Sequence, residues 1–143
     1  MSPDQICLVR SSWTLVTANL DQLGERFYAH LFALDTSASR LFASVDMATQ
    51  RAKLTQSLAT IVHALDEPER LLPALAPLAR RHTSYGVEVR HFDSVRDALL
   101  WALADTYGPE FTPELRESWA QAYALVASVM KRALERTTVR PTV

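Results

Sequence analysis

In the stretch Leu78–Val87, LARRHTSYGV, one histidine shares a face with leucines. Counting back from His82 by steps of three and four reaches Leu78, Leu75 and Leu71, so the imidazole belongs to the apolar stripe of a helix, while Arg80 and Arg81 point elsewhere. Two chemistries fit such a position. A core histidine satisfies a ring nitrogen with a backbone carbonyl; a metal-binding one offers neutral imidazole, the commonest metal ligand. A structural zinc needs further Cys or His at short spacings, and Cys7, His30, His63 and His91 form no paired motif. Haem needs only one protein ligand because the ring supplies the other nitrogens, and without Cys-x-x-Cys-His its attachment would be non-covalent.

Two more polar groups stand on apolar faces. Gln50 is in step with Leu54, Leu58, Ile61 and Leu65, where an unpaired amide costs about 1–3 kcal/mol. Tyr28 lies between Phe27 and Leu31, and a buried phenol normally finds a hydrogen-bond partner. Each is either a half-buried boundary residue or a group with a partner inside.

The elements that must position these residues are helices. Glycine occurs only at Gly24, Gly86 and Gly108, Ala and Leu abound, and no alternating run is long enough for a strand. Ser2-Pro3-Asp4-Gln5 is a capping box with proline at the first helical position, starting a helix to about residue 19 whose stripe is Ile6, Val9, Trp13 and Val16. A second helix, about 20–34, carries Leu20, Leu23, Phe27, Leu31 and Leu34; a short helical turn after Asp35 ends near Leu41-Phe42. A helix over about 47–65 is closed by Asp66-Glu67-Pro68, and a fifth leads into the His82 stretch. Helices over about 92–107 and 113–135 follow, divided by Gly108-Pro109 and restarted by Thr112-Pro113. The reading is all-α, six or seven helices around one core, in a single domain over 1–136 with a flexible tail over 137–143.

Bulk properties narrow the partners. The chain has 143 residues, 15 Lys+Arg against 16 Asp+Glu, and a pI near 6.4, which disfavours nucleic acid and anionic lipid. The single Cys7, expected to be a small buried hydrophobe, and an N-terminus without a secretory pattern point to a reducing cytoplasm. No apolar run approaches the roughly 18 residues that a membrane span requires.

The chain resembles bacterial single-domain globins related to the globin part of flavohaemoglobins. The resemblance covers nearly its full length and is carried by Ser12-Trp13, Phe27-Tyr28, Leu41-Phe42, Gln50-x-x-Lys53-Leu54, Arg81-His82, Gly86-Val87 and Trp119-x-x-x-Tyr123. The Gln50–His82 interval matches the flavohaemoglobin pattern; the Phe42–Gln50 interval is shorter, as in some other bacterial single-domain globins. The resemblance implies a globin fold holding haem b, with His82 as the proximal iron ligand and Phe42 wedged against the haem face. It places Tyr28, Gln50 and Leu54 on the distal side, and Val87, Phe92, Val95 and Val126 in apolar walls, with Leu78 on the ligand's own face. Lys53 is either a propionate partner or a solvated lysine; Arg81 is a weaker candidate for a propionate, and Arg80 is read as solvated charge.

The same resemblance implies reversible binding of oxygen and other diatomics, nitric oxide and carbon monoxide among them, for storage, delivery or scavenging. A Tyr hydroxyl and a Gln amide each stabilise the bound gas by about 1–2 kcal/mol, so high oxygen affinity and slow oxidation are expected. The alternatives are nitric oxide dioxygenation with a separate reductase, and gas sensing; no side chain is assigned a catalytic role. Monomer and homodimer are both compatible. One departure bears on chemistry: the glutamate and tyrosine that flavohaemoglobins set beside the proximal histidine are replaced by Leu134 and Phe92. Unless Glu135 substitutes by a one-residue shift, the chain is expected to be poorer at O–O cleavage. His30, His63 and His91 are read as surface or boundary residues.

Overall fold

The computed structural model describes residues 1–84 and 90–138, the side chains at 68, 72, 79–84 and 133–138 aside. Val87 and the side chains of His82, Leu134 and Glu135 therefore lie outside the described residues, as does the tail beyond Thr138. Within these limits the chain is all helical: α1 Pro3–Val16, α2 Leu20–Leu34, α3 Thr36–Leu41, α4 Met47–Ala64, α5 Pro68–Ser84, α6 His91–Tyr107 and α7 Pro113–Thr138.

The caps read from the sequence form as expected. Ser2 Oγ accepts from the Gln5 amide at 3.2 Å while Gln5 Oε1 accepts from the Ser2 amide at 3.0 Å, and Thr112 Oγ1 accepts from the Leu115 amide at 3.2 Å. The first helix ends earlier than its expected boundary. After Val16 the backbone tightens into a 3₁₀ turn over Thr17–Asn19, where Thr17 Oγ1 donates to the Thr14 carbonyl at 2.7 Å. The last helix runs further, through Thr138, so the first two residues assigned to a tail are helical. In α5, Pro73 and Pro77 are both exposed, which leaves the carbonyls they cannot satisfy on the water side. Its opposite stripe, Leu71 and Leu75, is fully buried, and position 82 continues that helix.

The core falls into two clusters. The larger joins Val9, Trp13 and Val16 of α1 to Leu23, Phe27, Tyr28 and Leu31 of α2, Ala98, Leu99, Leu100, Ala102 and Leu103 of α6 and Trp119 of α7. The smaller joins Leu71 and Leu75 to Phe92, Val126, Ala127 and Met130. Ile61, Tyr123 and Leu125, all half-buried, pack against both.

Polar pins hold the larger cluster in register. Trp119 Nε1 donates to Ser12 Oγ at 2.9 Å, Ser12 Oγ donates to the Val9 carbonyl at 2.8 Å, and Tyr107 Oη donates to the Ser12 carbonyl. Arg10 reaches from α1 to the end of α4, donating to the Val62 and His63 carbonyls at 3.2 and 2.8 Å and to Asp66 at 2.7 Å. These are the carbonyls that the end of a helix leaves unpaired. Cys7 is exposed rather than buried: it lies off the Val9, Trp13, Val16 stripe, which faces the core without it.

Candidate functional site

The site begins at a close helix crossing. Gly24 of α2 is buried under Arg51 of α4, and a Cβ built on Gly24 would meet Arg51 Cβ at 3.0 Å. Arg51 Nε binds Asp21 at 2.8 Å, and its Nη2 lies 4.0 Å from Glu25, so α4 is clamped down on α2. Asp46 starts α4, accepting from the Ala48 amide at 3.3 Å and the Thr49 hydroxyl at 2.7 Å. The clamp and the cap fix the position of Gln50.

From there Gln50 Nε2 donates to Tyr28 Oη at 3.2 Å. The phenol has its acceptor role filled, and its own O–H is left to donate elsewhere. Tyr28 is buried, and burial pushes its pKa above the ordinary value while the Gln50 bond partly opposes the shift. It is therefore a neutral donor throughout the physiological range. Its ring meets Phe27 edge-on at 4.8 Å, Phe42 edge-on at 5.4 Å and Phe32 at 5.8 Å, and Phe32 and Phe42 lie 5.5 Å apart. Phe42, the residue that closes α3, thus joins the same aromatic group. Leu54 and Val95 pack on the larger cluster.

The residues assigned to the other side of the pocket gather separately. Phe92 and Val126 are buried in the smaller cluster with Leu71 and Leu75, and Leu78 packs against it. Tyr123 Oη donates to the Phe92 carbonyl at 2.5 Å and ties the start of α6 to α7. Lys53 is exposed. The described residues bring Tyr28, Phe42 and Gln50 together, set Leu54 and Val95 on the larger cluster, and gather Leu78, Phe92 and Val126 at the smaller one. Phe42, Leu54, Val95 and Leu78 remain only half-buried. Half-buried apolar side chains together with a buried phenol and an amide are a donor set that fits a haem carrying a gas ligand.

Three contributors escaped the sequence reading. Phe32 extends the aromatic group, and Arg51 carries the clamp that places Gln50. The third is His91, which is a correction: it is buried at 4% exposure, not a surface or boundary residue. Its Nε2 lies 3.2 Å from Ser37 Oγ, and Ser37 Oγ donates to Asp35 at 2.5 Å, so the imidazole N–H is the donor to the serine. The Ser37 hydrogen bond, foremost among several, holds the Asp35 carboxyl below the usual range. Ser94 Oγ also donates to Asp35, at 3.2 Å, joining α6 to the start of α3. No local feature of the sequence announces this, because the partners come from α3.

Residues 25–130 match the family model described as Globin. The chain belongs to the globin family. Among curated proteins, this globin is 29% identical over 131 residues to a flavohemoprotein of Rhodopirellula baltica, covering 90% of this chain and 32% of that protein. It is 30% identical to a flavohemoprotein of Xylella fastidiosa over 132 residues, covering 91% and 33%. The flavohemoprotein of Deinococcus radiodurans gives 30% over 134 residues with the same coverage. The globin thus spans about a third of the length of the curated relatives it matches. Family model and all-helical fold agree, and no helix among the described residues is long and apolar enough to cross a membrane.

Proposed function

We propose that this globin binds oxygen and other diatomic gases reversibly, for storage, delivery or scavenging, on a non-covalent haem b held by His82. The observation that carries the reading is the Gln50–Tyr28 hydrogen bond beside the Phe27, Phe32 and Phe42 rings. Haem iron supplies the coordination position at which a diatomic gas binds.

The protein's share of the chemistry follows from its own residues. Gln50 fills the acceptor site of Tyr28 and aims the phenolic proton away from itself, so the hydroxyl donates to a polar ligand without first breaking a competing bond. Phe42, Leu54 and Val95 supply apolar walls that exclude water, which slows oxidation and strengthens that hydrogen bond. On the His82 side, Phe92 offers a phenyl ring and the Tyr123 hydroxyl is committed to the Phe92 carbonyl. Neither lends the imidazole the anionic character that favours O–O cleavage, and Leu134 adds none. These residues favour holding a gas over activating it. An exposed free thiol at Cys7 suits a reducing cytoplasm.

A second reading draws on the similarity to flavohemoproteins: conversion of nitric oxide to nitrate with electrons from a separate reductase. It uses the same Tyr28–Gln50 pair.

The test is direct. Protein reconstituted with haem should show a Soret band that His82→Ala loses, and Tyr28→Phe combined with Gln50→Leu should speed oxygen dissociation by roughly 30-fold or more, from about 1–2 kcal/mol per hydrogen bond. An unchanged off-rate refutes the distal roles, and an unchanged Soret band in His82→Ala refutes the ligand. Stoichiometric nitric oxide consumption sustained by an added reductase would establish the second reading.

A further inference from the structure

Outside the aromatic group, α6 and the C-terminal half of α7 enclose an open groove of about 460 Å³. Its apolar lining is Phe92 and Ala127, both buried, and the exposed Ala124. Its rim is charged, and the charges do not cancel. Arg96 is occupied by Asp97 at 3.1 Å and Asp93 at 3.8 Å. Lys131 and Arg132 make no ion pair among the described residues; the Lys131 ammonium instead rests 5.5 Å from the centroid of the Phe92 ring. Ser128, also on the rim, is exposed. The Tyr123 hydroxyl is already spent on the Phe92 carbonyl, so it offers the groove no donor.

We infer that this groove binds a small carboxylate carrying a flat apolar body. Two cations that meet no carboxylate among the described residues favour an anion, and the guanidinium fork of Arg132 matches the two oxygens of a carboxylate. An ammonium over an aromatic face is only partly compensated and gains from an added negative charge. The lining of Phe92, Ala124 and Ala127 rewards a ring-sized apolar body, and the volume admits one or two fused rings. A purely inorganic anion would leave that lining wet. Arg132 is exposed and Lys131 half-buried, so affinity comes mainly from the apolar lining and charge sets the choice of ligand.

The experiment is calorimetric titration of the full chain, loaded with haem, using 2-naphthoate as probe, with neutral 2-naphthamide and inorganic phosphate as comparisons. Saturable one-to-one binding of naphthoate in the millimolar range or tighter is expected, with amide and phosphate weaker by roughly tenfold. Lys131→Glu with Arg132→Glu should weaken naphthoate by at least roughly tenfold. Ala124→Trp, a change at an exposed position that fills the groove, should abolish binding while helicity and the Soret band persist. Absence of saturable binding, equal affinity for the amide or phosphate, or wild-type affinity in both variants overturns the assignment. So does naphthoate that blocks gas binding equally in the wild type and both variants, because the ligand would then occupy the other pocket.

Discussion

Replacing Gly24 with alanine tests whether the α2–α4 crossing sets the geometry of Gln50 and Tyr28. The added methyl would stand 3.0, 3.1 and 3.3 Å from Arg51 Cβ, Cγ and Cδ, all closer than ordinary van der Waals contact. The far end of Arg51 cannot relieve this by swinging away, because the two nearest atoms lie close to the backbone and its guanidinium is held by Asp21 and Glu25. Overpacking of this kind costs about 1–3 kcal/mol, and alanine returns up to about 1 kcal/mol through helix propensity. The net expectation is a loss of about 0–2 kcal/mol, or a melting temperature lower by up to roughly 8 °C for a domain of this size.

The more telling effect is local. Gln50 adjoins Arg51, so a helix pushed outward by a few tenths of an ångström takes the 3.2 Å Gln50–Tyr28 bond toward the limit of hydrogen-bond range. Gas dissociation should then quicken by up to about 10-fold, the share of one hydrogen bond. Thermal denaturation by circular dichroism and flash-photolysis off-rates read the two effects independently. A double-mutant cycle with Arg51→Ala, which removes the Cγ and Cδ contacts, should recover part of the stability. A Gly24→Ala protein stabilised by the full helix-propensity gain, with an unchanged off-rate, would refute the reasoning.

Other outcomes follow from the same physics. Ser12→Ala removes the acceptor of the Trp119 indole inside the core, and denaturant unfolding should show a loss of about 1–3 kcal/mol with an unchanged slope. Because burial raises the Tyr28 pKa, the phenol stays protonated through neutral pH, and the gas off-rate should be flat from about pH 6 to 9. The sign of the stability effect is that of a raised folded pKa: the contribution is present below the unfolded value near pH 10 and lost as pH rises through the folded value, so the loss is expected only in strong alkali. Tyr28→Phe should show less of that alkaline loss in pH-dependent unfolding. Asp66 is held low chiefly by its hydrogen bond with Arg10, so its contribution is present above the unfolded carboxylate range near pH 4 and lost as pH falls through the lower folded value. Asp66→Asn should flatten that acid limb of the stability curve.

Much of the fold is written in short-range pattern. The Ser2 box, the Thr112-Pro113 restart and the stripes of α1, α2 and α5 depend on residues within a few positions of one another, where capping and periodicity act. Individual site residues were legible for the same reason. Tyr28 and Gln50 are polar groups on apolar faces, and the cost of leaving them unpaired announces a partner. What pairs with what depends on tertiary packing, because hydrogen bonds between helices join positions that no local rule relates. That Gln50 donates to Tyr28, that Arg51 closes over Gly24, and that Ser12 serves Trp119 were decided by how α1, α2, α4 and α7 pack. The misreadings have the same origin. His91 begins a helix beside polar residues and reads as solvated until α3 brings Ser37 and Asp35 to it. Cys7 reads as core from its residue type, whereas the side of α1 that packs leaves it in water. The sequence by itself determined six or seven helices, most of their inward faces and the polar groups that need a partner on those faces. Only the packing of the helices decided which of those groups meet.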